Sequence, residues 1–290
     1  MKDTLKTIVI PCLALLFLTP GLFAQSLKIT AVVNAANFSP NLANGSIVSV
    51  FGSGLEGATL KLCSFQQANT CSVAQSLFNG PTQINAVLPF QSGLYGSKTA
   101  YLTVTSGAVI TPYYSINLFE QATGIFQQGW DCPYPATCAL SPNKSAAATI
   151  QRGAVIDTSG SLITSQNPMN SKGIYSVYFN GGGFVPDGFA RGAAVYSYLM
   201  IGRNGIIAFP FFSGHSPCCS GLDQLNFSLP GDILRGFSSD GTTVPSCSTF
   251  QFPLRLEMKL LIAGTSNDSP SDSVSVPVLI NKGEFYCEGQ

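Results

Sequence analysis

Gly80-Pro81-Thr82-Gln83-Ile84-Asn85-Ala86-Val87-Leu88-Pro89 returns later in the chain as Gly221-Leu222-Asp223-Gln224-Leu225-Asn226-Phe227-Ser228-Leu229-Pro230. Each copy sets Gln, an apolar residue and Asn in a row and then alternates into a proline: Gln83, Asn85 and Pro89 in the first, Gln224, Asn226 and Pro230 in the second. Alternation of period two is the signature of a strand with one buried face. A spaced duplication implies two copies of one small module.

Around the first copy, Ile29, Val32 and Val33 predict an opening strand, and Asn44-Gly45 a turn into Ser46–Phe51. Ala58–Cys63 alternates next, and Cys63 and Cys71 flank a polar stretch, which predicts a disulfide across the neck of a hairpin. Lys98–Thr105 places Ala100, Leu102 and Val104 on one face and Tyr101, Thr103 and Thr105 on the other. Tyr114, Ile116 and Leu118 close the module, which is assigned residues 25–121.

Residues 122–170 read as a structured connector between modules. It contains Trp130, a loop clipped by Cys132 and Cys138, and a hairpin turning at Ser159-Gly160. The second module, 171–290, opens at Gly173–Phe179, which echoes Gly45–Phe51 letter for letter at its two ends. A hairpin turns at Asn204-Gly205, Leu254–Leu260 alternates apolar with charged, and Val274, Val276, Val278 and Ile280 supply the last strand.

The chain starts with Lys2 and Lys6, an apolar run from Ile8 to Leu18, a Thr19-Pro20-Gly21 break and Leu22-Phe23-Ala24. This is the layout of a secretory signal peptide over residues 1–24, cleaved after Ala24; a retained anchor is the alternative. Cys12 leaves with the leader, and the rest carries twelve basic against thirteen acidic residues. No basic field is present to attract nucleic acid, and no later stretch is long enough to span a membrane. With 10% charged residues and abundant Val, Ile, Phe, Tyr and Thr, the composition favours strands.

Cys63, Cys71, Cys132, Cys138, Cys218, Cys219, Cys247 and Cys287 remain after the leader. An even set behind a signal peptide reads as disulfides in an oxidising, secreted or cell-surface compartment. Cys218 or Cys219 could reach Cys247 and the other Cys287, but spacing leaves the connectivity open.

The ordered series Val33–Phe38, Gly45–Gly52, Thr82-Gln83-Ile84-Asn85 through Pro89, Gly124-Ile125-Phe126, Asn167-Pro168 and Gln224-Leu225-Asn226 through Pro230 resembles a large family of secreted acidobacterial proteins. The resemblance implies two tandem immunoglobulin-like (IPT/TIG-like) sandwiches and a surface or adhesive role, with no catalytic residues to carry over. The chain departs from that pattern in its eight cysteines and in insertions at Ser213–Ser220, which holds His215, and Ser238–Ser248.

No cofactor or catalytic set follows from the residues. Gly52-Ser53-Gly54-Leu55-Glu56-Gly57 matches a dinucleotide fingerprint, but Ala58–Cys63 reads as a strand where the fingerprint needs a helix. His215 near Cys218 and Cys219 lacks the Cys-x-x-Cys spacing of a metal grip, and a hydrolase triad through it would lack a Gly-x-Ser-x-Gly elbow. Asp157, Asp187, Asp223, Asp240, Asp268 and Asp272 read as turn residues rather than paired catalytic carboxylates, and 267–272 lacks calcium-loop spacing. Repetition assigns the Gln and Asn amides a structural task, satisfying backbone groups where a strand crosses between sheets. Tyr95, Trp130, Tyr134, Phe211 and Phe212 are candidate contact aromatics. The reading is a secreted, non-catalytic interaction module, for adhesion through a protein or glycan partner. The alternative is a carbohydrate-binding module or a hydrolase accessory domain.

Overall fold

The computed structural model describes residues 26–131 apart from 65–69 and 95–97, residues 150–183 apart from 171–172, and 199–201, 206–208, 211–229, 234–235, 253–262, 272–281 and 285–286. Residues 1–24, expected to be a signal peptide, and Cys132, Cys138, Cys247, Cys287, Asp187, Asp240, Asp268, Tyr95, Tyr134 and Pro230 lie outside the described residues, as does the side chain of Trp130. The described residues form an all-β protein.

The first ten strands are β1 (Lys28–Asn34), β2 (Leu42–Ala43), β3 (Ile47–Ser53), β4 (Thr59–Ser64), β5 (Thr70–Val73), β6 (Gln75–Asn79), β7 (Gln83–Val87), β8 (Lys98–Ser106), β9 (Val109–Ile110) and β10 (Tyr114–Phe119). One sheet runs β1-β3-β7-β6, the other β2-β10-β8-β4-β5 with β9 on β8. Val48, Val50, Ile84 and Ala86 of one sheet meet Leu60, Leu62, Ala100, Leu102 and Val104 of the other in a single core. Ile29 and Val32 are an odd number of residues apart, yet both face that core, because a register shift between Ile29 and Ala31 turns the strand over. Cys63 stands opposite Cys71 and is bonded to it, so the predicted hairpin clip is present. Ala74 alone separates β5 from β6, so one continuous segment forms an edge of both sheets.

The remaining strands are β11 (Gly124–Ile125), β12 (Gln127–Asp131), β13 (Ile150–Gly153), β14 (Val155–Asp157), β15 (Met169–Asn170), β16 (Ile174–Asn180), β17 (Leu199–Ile201), β18 (Ile206–Ala208), β19 (Phe212–His215), β20 (Asp223–Ser228), β21 (Leu234–Arg235), β22 (Leu254–Ile262), β23 (Asp272–Ile280) and β24 (Phe285–Tyr286). A third sheet runs β11-β16-β20-β19 with β14 on β16, and a fourth runs β12-β13-β23-β15 with β22 on β23. Val177, Phe179, Leu225 and Phe227 pack there against Leu260, Val274, Val276, Val278 and Ile280 in a second core. The stretch expected as a connector therefore supplies five strands, β11 to β15, to the sheets of this second core. Its short strands looked like a separate element because, although β12 and β13 pair with each other, the sheets they join are completed by β16 and β23 beyond the stretch. The Ser159-Gly160 turn is as expected, with Asp157 Oδ1 accepting from the backbone N–H groups of Ser159 and Ser161.

The two Gln-x-Asn stretches fall on β7 and β20, opposite β3 and β16. Asn85 faces Ser49, and Asn226 faces Ser176. This corrects the sequence alignment of Phe51 with Phe179 by one residue: Phe51 corresponds to Tyr178, facing Gln83 and Gln224 respectively. A slip of one reverses every side chain, and Phe179 is indeed fully buried in the core whereas Phe51 is not.

The two sandwiches meet through buried amides. Asn180 Oδ1 accepts from the Ile47 N–H at 2.8 Å, and its Nδ2 donates to Ile47 O at 2.6 Å and to Asn34 Oδ1 at 3.0 Å. Asn34 Nδ2 donates to Ala122 O at 3.0 Å.

Candidate functional site

The repeated motif and the insertion after β19 each bring polar side chains together. The first occurs twice, on the outward faces of β7 and β20. Asn85 Oδ1 accepts from Gln83 Nε2 at 2.7 Å and from Ser49 Oγ at 2.9 Å. Asn226 Oδ1 accepts from Gln224 Nε2 at 2.7 Å and from Ser176 Oγ at 2.8 Å. The amides therefore bond to each other and to a neighbouring hydroxyl, not to backbone groups at a sheet crossing as expected from sequence. Two donors saturate the Asn oxygen, which leaves the Asn Nδ2 without a partner among the described residues, and it is not buried.

The edge strand beside each motif adds an aromatic residue. Phe78 on β6 stands opposite Asn85, and Phe212 on β19 stands opposite Asn226. They are 54% and 38% exposed, which leaves ring area open to a ligand. Each ring lies along its strand over a glycine two residues on. A Cβ at Gly80 would meet Phe78 Cζ at 3.0 Å, and one at Gly214 would meet Phe212 Cζ at 3.5 Å.

The second place is a cleft of about 410 Å³ where the first sandwich meets the insertion after β19. Gly45, Val87, Leu88 and Phe90 form one wall, and His215 to Gly221 the other. Gly221 has φ of 74°, and a Cβ there would lie 2.8 Å from Val87 Cγ1 and 2.9 Å from Ile47 Cγ1, so glycine lets the insertion lie against the first sandwich. Cys218 is bonded to Cys219; Cys247 and Cys287, which either could have reached on sequence grounds, lie outside the described residues. With both sulfurs in a disulfide, neither is a thiolate available to a metal at His215. Ser216 Oγ lies 3.2 Å from Cys218 Sγ and 3.4 Å from Gln224 Oε1.

His215 Nδ1 is 2.8 Å from Asp223 Oδ1, and Asp223 Oδ2 accepts from the Gly182 N–H at 2.8 Å. Asp223, expected as a turn residue, thus stands buried at the start of β20. Burial raises its carboxyl pKa above the ordinary carboxylate value, against the lowering effect of the His215 and Gly182 hydrogen bonds. A carboxyl with a raised folded pKa supports folding fully below about pH 4 and loses that support as pH rises towards the folded value. Asp223→Asn can keep both bonds, accepting from Gly182 and donating to the other tautomer of His215. We expect urea midpoints of this variant to gain on wild type as pH rises from about 4; a constant difference across that range would contradict a raised carboxyl.

No family model matches the chain. No curated protein matches it either. Among solved structures, an endo-fucoidan hydrolase of glycoside hydrolase family 107 is similar at 9% identity and a TM-score of 0.17, over 83% of this chain. The chain spans 27% of that structure's length, and a score so low carries no argument about fold or activity.

Of the residues singled out from sequence, Gln83, Asn85, Gln224 and Asn226 come together with new partners, and Pro89 follows β7. In the Gly52–Gly57 stretch, Gly52 and Ser53 end β3 and the remaining residues turn the chain towards β4, with no helix to hold a pyrophosphate. Phe211 is exposed beside Phe212. Sequence reading missed Phe78 and Gly80 as a site because Phe78 precedes Gln83 closely, whereas the Cys218-Cys219 insertion separates Phe212 from Gln224.

Proposed function

We propose that the protein is an exported, non-catalytic interaction module of two tandem immunoglobulin-like sandwiches that holds cell surface or matrix material. The observation that carries this reading is the outward Ser, Gln, Asn and Phe cluster, which recurs at one register on both motif strands. A single site of chemistry has no need to be built twice, whereas binding gains from repetition through effective concentration. Export is supported by the leader-like start and by disulfides at Cys63–Cys71 and Cys218–Cys219.

The test uses beads coated with the chain from Gln25 onward, applied to immobilised cell-envelope and matrix material. Saturable retention without release of new reducing ends or amino termini is expected. Absence of retention, or release of such products, would overturn the reading.

A further inference from the structure

We propose that the two outward clusters are equivalent binding sites for a neutral polysaccharide. Each would stack one sugar ring on Phe78 or Phe212 and pair its hydroxyls with the neighbouring amides. The inference rests on the reading of the protein as a binding module and names the ligand class of that module.

The argument begins with what the two copies keep. Structural equivalence pairs β3 with β16 and β7 with β20. Along them most inward positions have diverged, Val48 against Tyr175, Ile84 against Leu225 and Ala86 against Phe227, while Val50 and Val177 are identical. Three pairs on the opposite face have not, although Val87 and Ser228 there differ. Ser49 and Ser176, Gln83 and Gln224, and Asn85 and Asn226 are identical, and Phe51 answers Tyr178. On the edge strands, Phe78 and Gly80 match Phe212 and Gly214 although the intervening loops differ in length. Packing constrains inward positions most strongly. Identity of a hydrogen-bonded cluster on the face turned away from the core points to a demand beyond core packing.

The chemistry of the cluster selects the ligand. Its polar groups are amides and a hydroxyl, with no charged side chain among them, so nothing recognises a phosphate, sulfate or carboxylate. The Asn Nδ2 groups remain as donors, and Gln83 Oε1 as an acceptor, both suited to hydroxyls. An exposed ring beside them presents an apolar face to a ligand that is apolar on one side and hydroxylated at its rim. A sugar ring has that form. An extended peptide added to the β6 or β19 edge would use backbone groups and leave the amides idle.

The experiment is affinity electrophoresis of the disulfide-intact chain through gels containing hydroxyethyl cellulose, laminarin, xyloglucan or glucomannan, with alginate and heparin as anionic controls. At least one neutral polysaccharide should retard wild type. Phe78→Leu and Phe212→Leu, which keep apolar bulk but remove the aromatic face, should each weaken binding about tenfold. The double variant should migrate as in a plain gel. Phe78→Tyr should restore retardation, and the leucine variants should unfold at the wild-type urea midpoint, which separates recognition from packing. Retardation by alginate or heparin alone, by none of the six, or undiminished in the double variant would overturn the inference. If matrix retention of coated beads survives in the double variant, the interaction reading stands and the sugar assignment falls. Failure of wild type to be retained removes both.

Discussion

Asn180→Ala is expected to lower folding stability by about 3–5 kcal/mol, a loss that belongs to the short list of severe single substitutions. Pairing between β1 and β3 ends at Asn34 opposite Val48, so the Ile47 N–H points past the end of its neighbour strand. Asn180 supplies the missing acceptor at 2.8 Å and returns a donor to Ile47 O at 2.6 Å, so its amide acts as one further residue of ladder. Ile47 O retains a second donor, the Ala35 N–H, but the Ile47 N–H has no other acceptor among the described residues. Truncation leaves that group buried and unpaired and also removes the donor to Asn34 Oδ1. Asn180→Asp should be at least as damaging, because the oxygen replacing Nδ2 would face two acceptors, Ile47 O and Asn34 Oδ1, and the carboxylate would carry a buried charge. Urea unfolding of the two variants gives the measurement. Asn34→Ala should cost a similar amount, and the double variant less than the sum, since the residues share a bond. A loss below about 1 kcal/mol in Asn180→Ala would show that water reaches the Ile47 N–H.

Local pattern made some of this molecule legible. Ala100, Leu102 and Val104 alternate cleanly and are all fully buried on β8, because a strand's own geometry dictates its faces. Cys63 and Cys71 bracket a loop too polar to hold itself, and their bond joins facing positions of one hairpin. What depended on distant partners stayed hidden. Nothing near Asn180 in sequence announces that it completes a ladder at Ile47. The stretch of β11 to β15 read as a connector because, apart from the β12–β13 pair, its strands join β16 and β23 beyond it. The Phe51–Phe179 alignment followed matching letters, whereas the face a residue occupies is set by pairing with the Gln-x-Asn strand. The candidate site combines both cases: the amides were visible as a repeat, but their partners Ser49, Ser176, Phe78 and Phe212 lie on neighbouring strands.

Phe227→Ala is expected to destabilise the second sandwich by about 3–5 kcal/mol while leaving the first core intact. Phe227 is fully buried, and its ring lies 5.9 Å from that of Tyr175, whose hydroxyl is anchored to the Asn170 backbone. The equivalent position in the first sandwich is Ala86, so the second core depends on an aromatic volume that the first lacks. The two buried clusters share no residue, and the buried amides of Asn34 and Asn180 join them. A deficit confined to one cluster should therefore move one transition and not the other. In calorimetry, Phe227→Ala should detach a component melting roughly 10 °C lower, the shift expected for such a loss in a domain of this size. Leu102→Ala, which hollows the first core, should detach the other component instead. Adding Asn180→Ala to either variant should widen the separation by weakening the contact between the sandwiches, which the packing of Gly221 against Val87 and Ile47 shares. If both truncations lower a single undivided transition by the same amount, the amide contact is strong enough to make the sandwiches one cooperative unit, and their independence as modules fails.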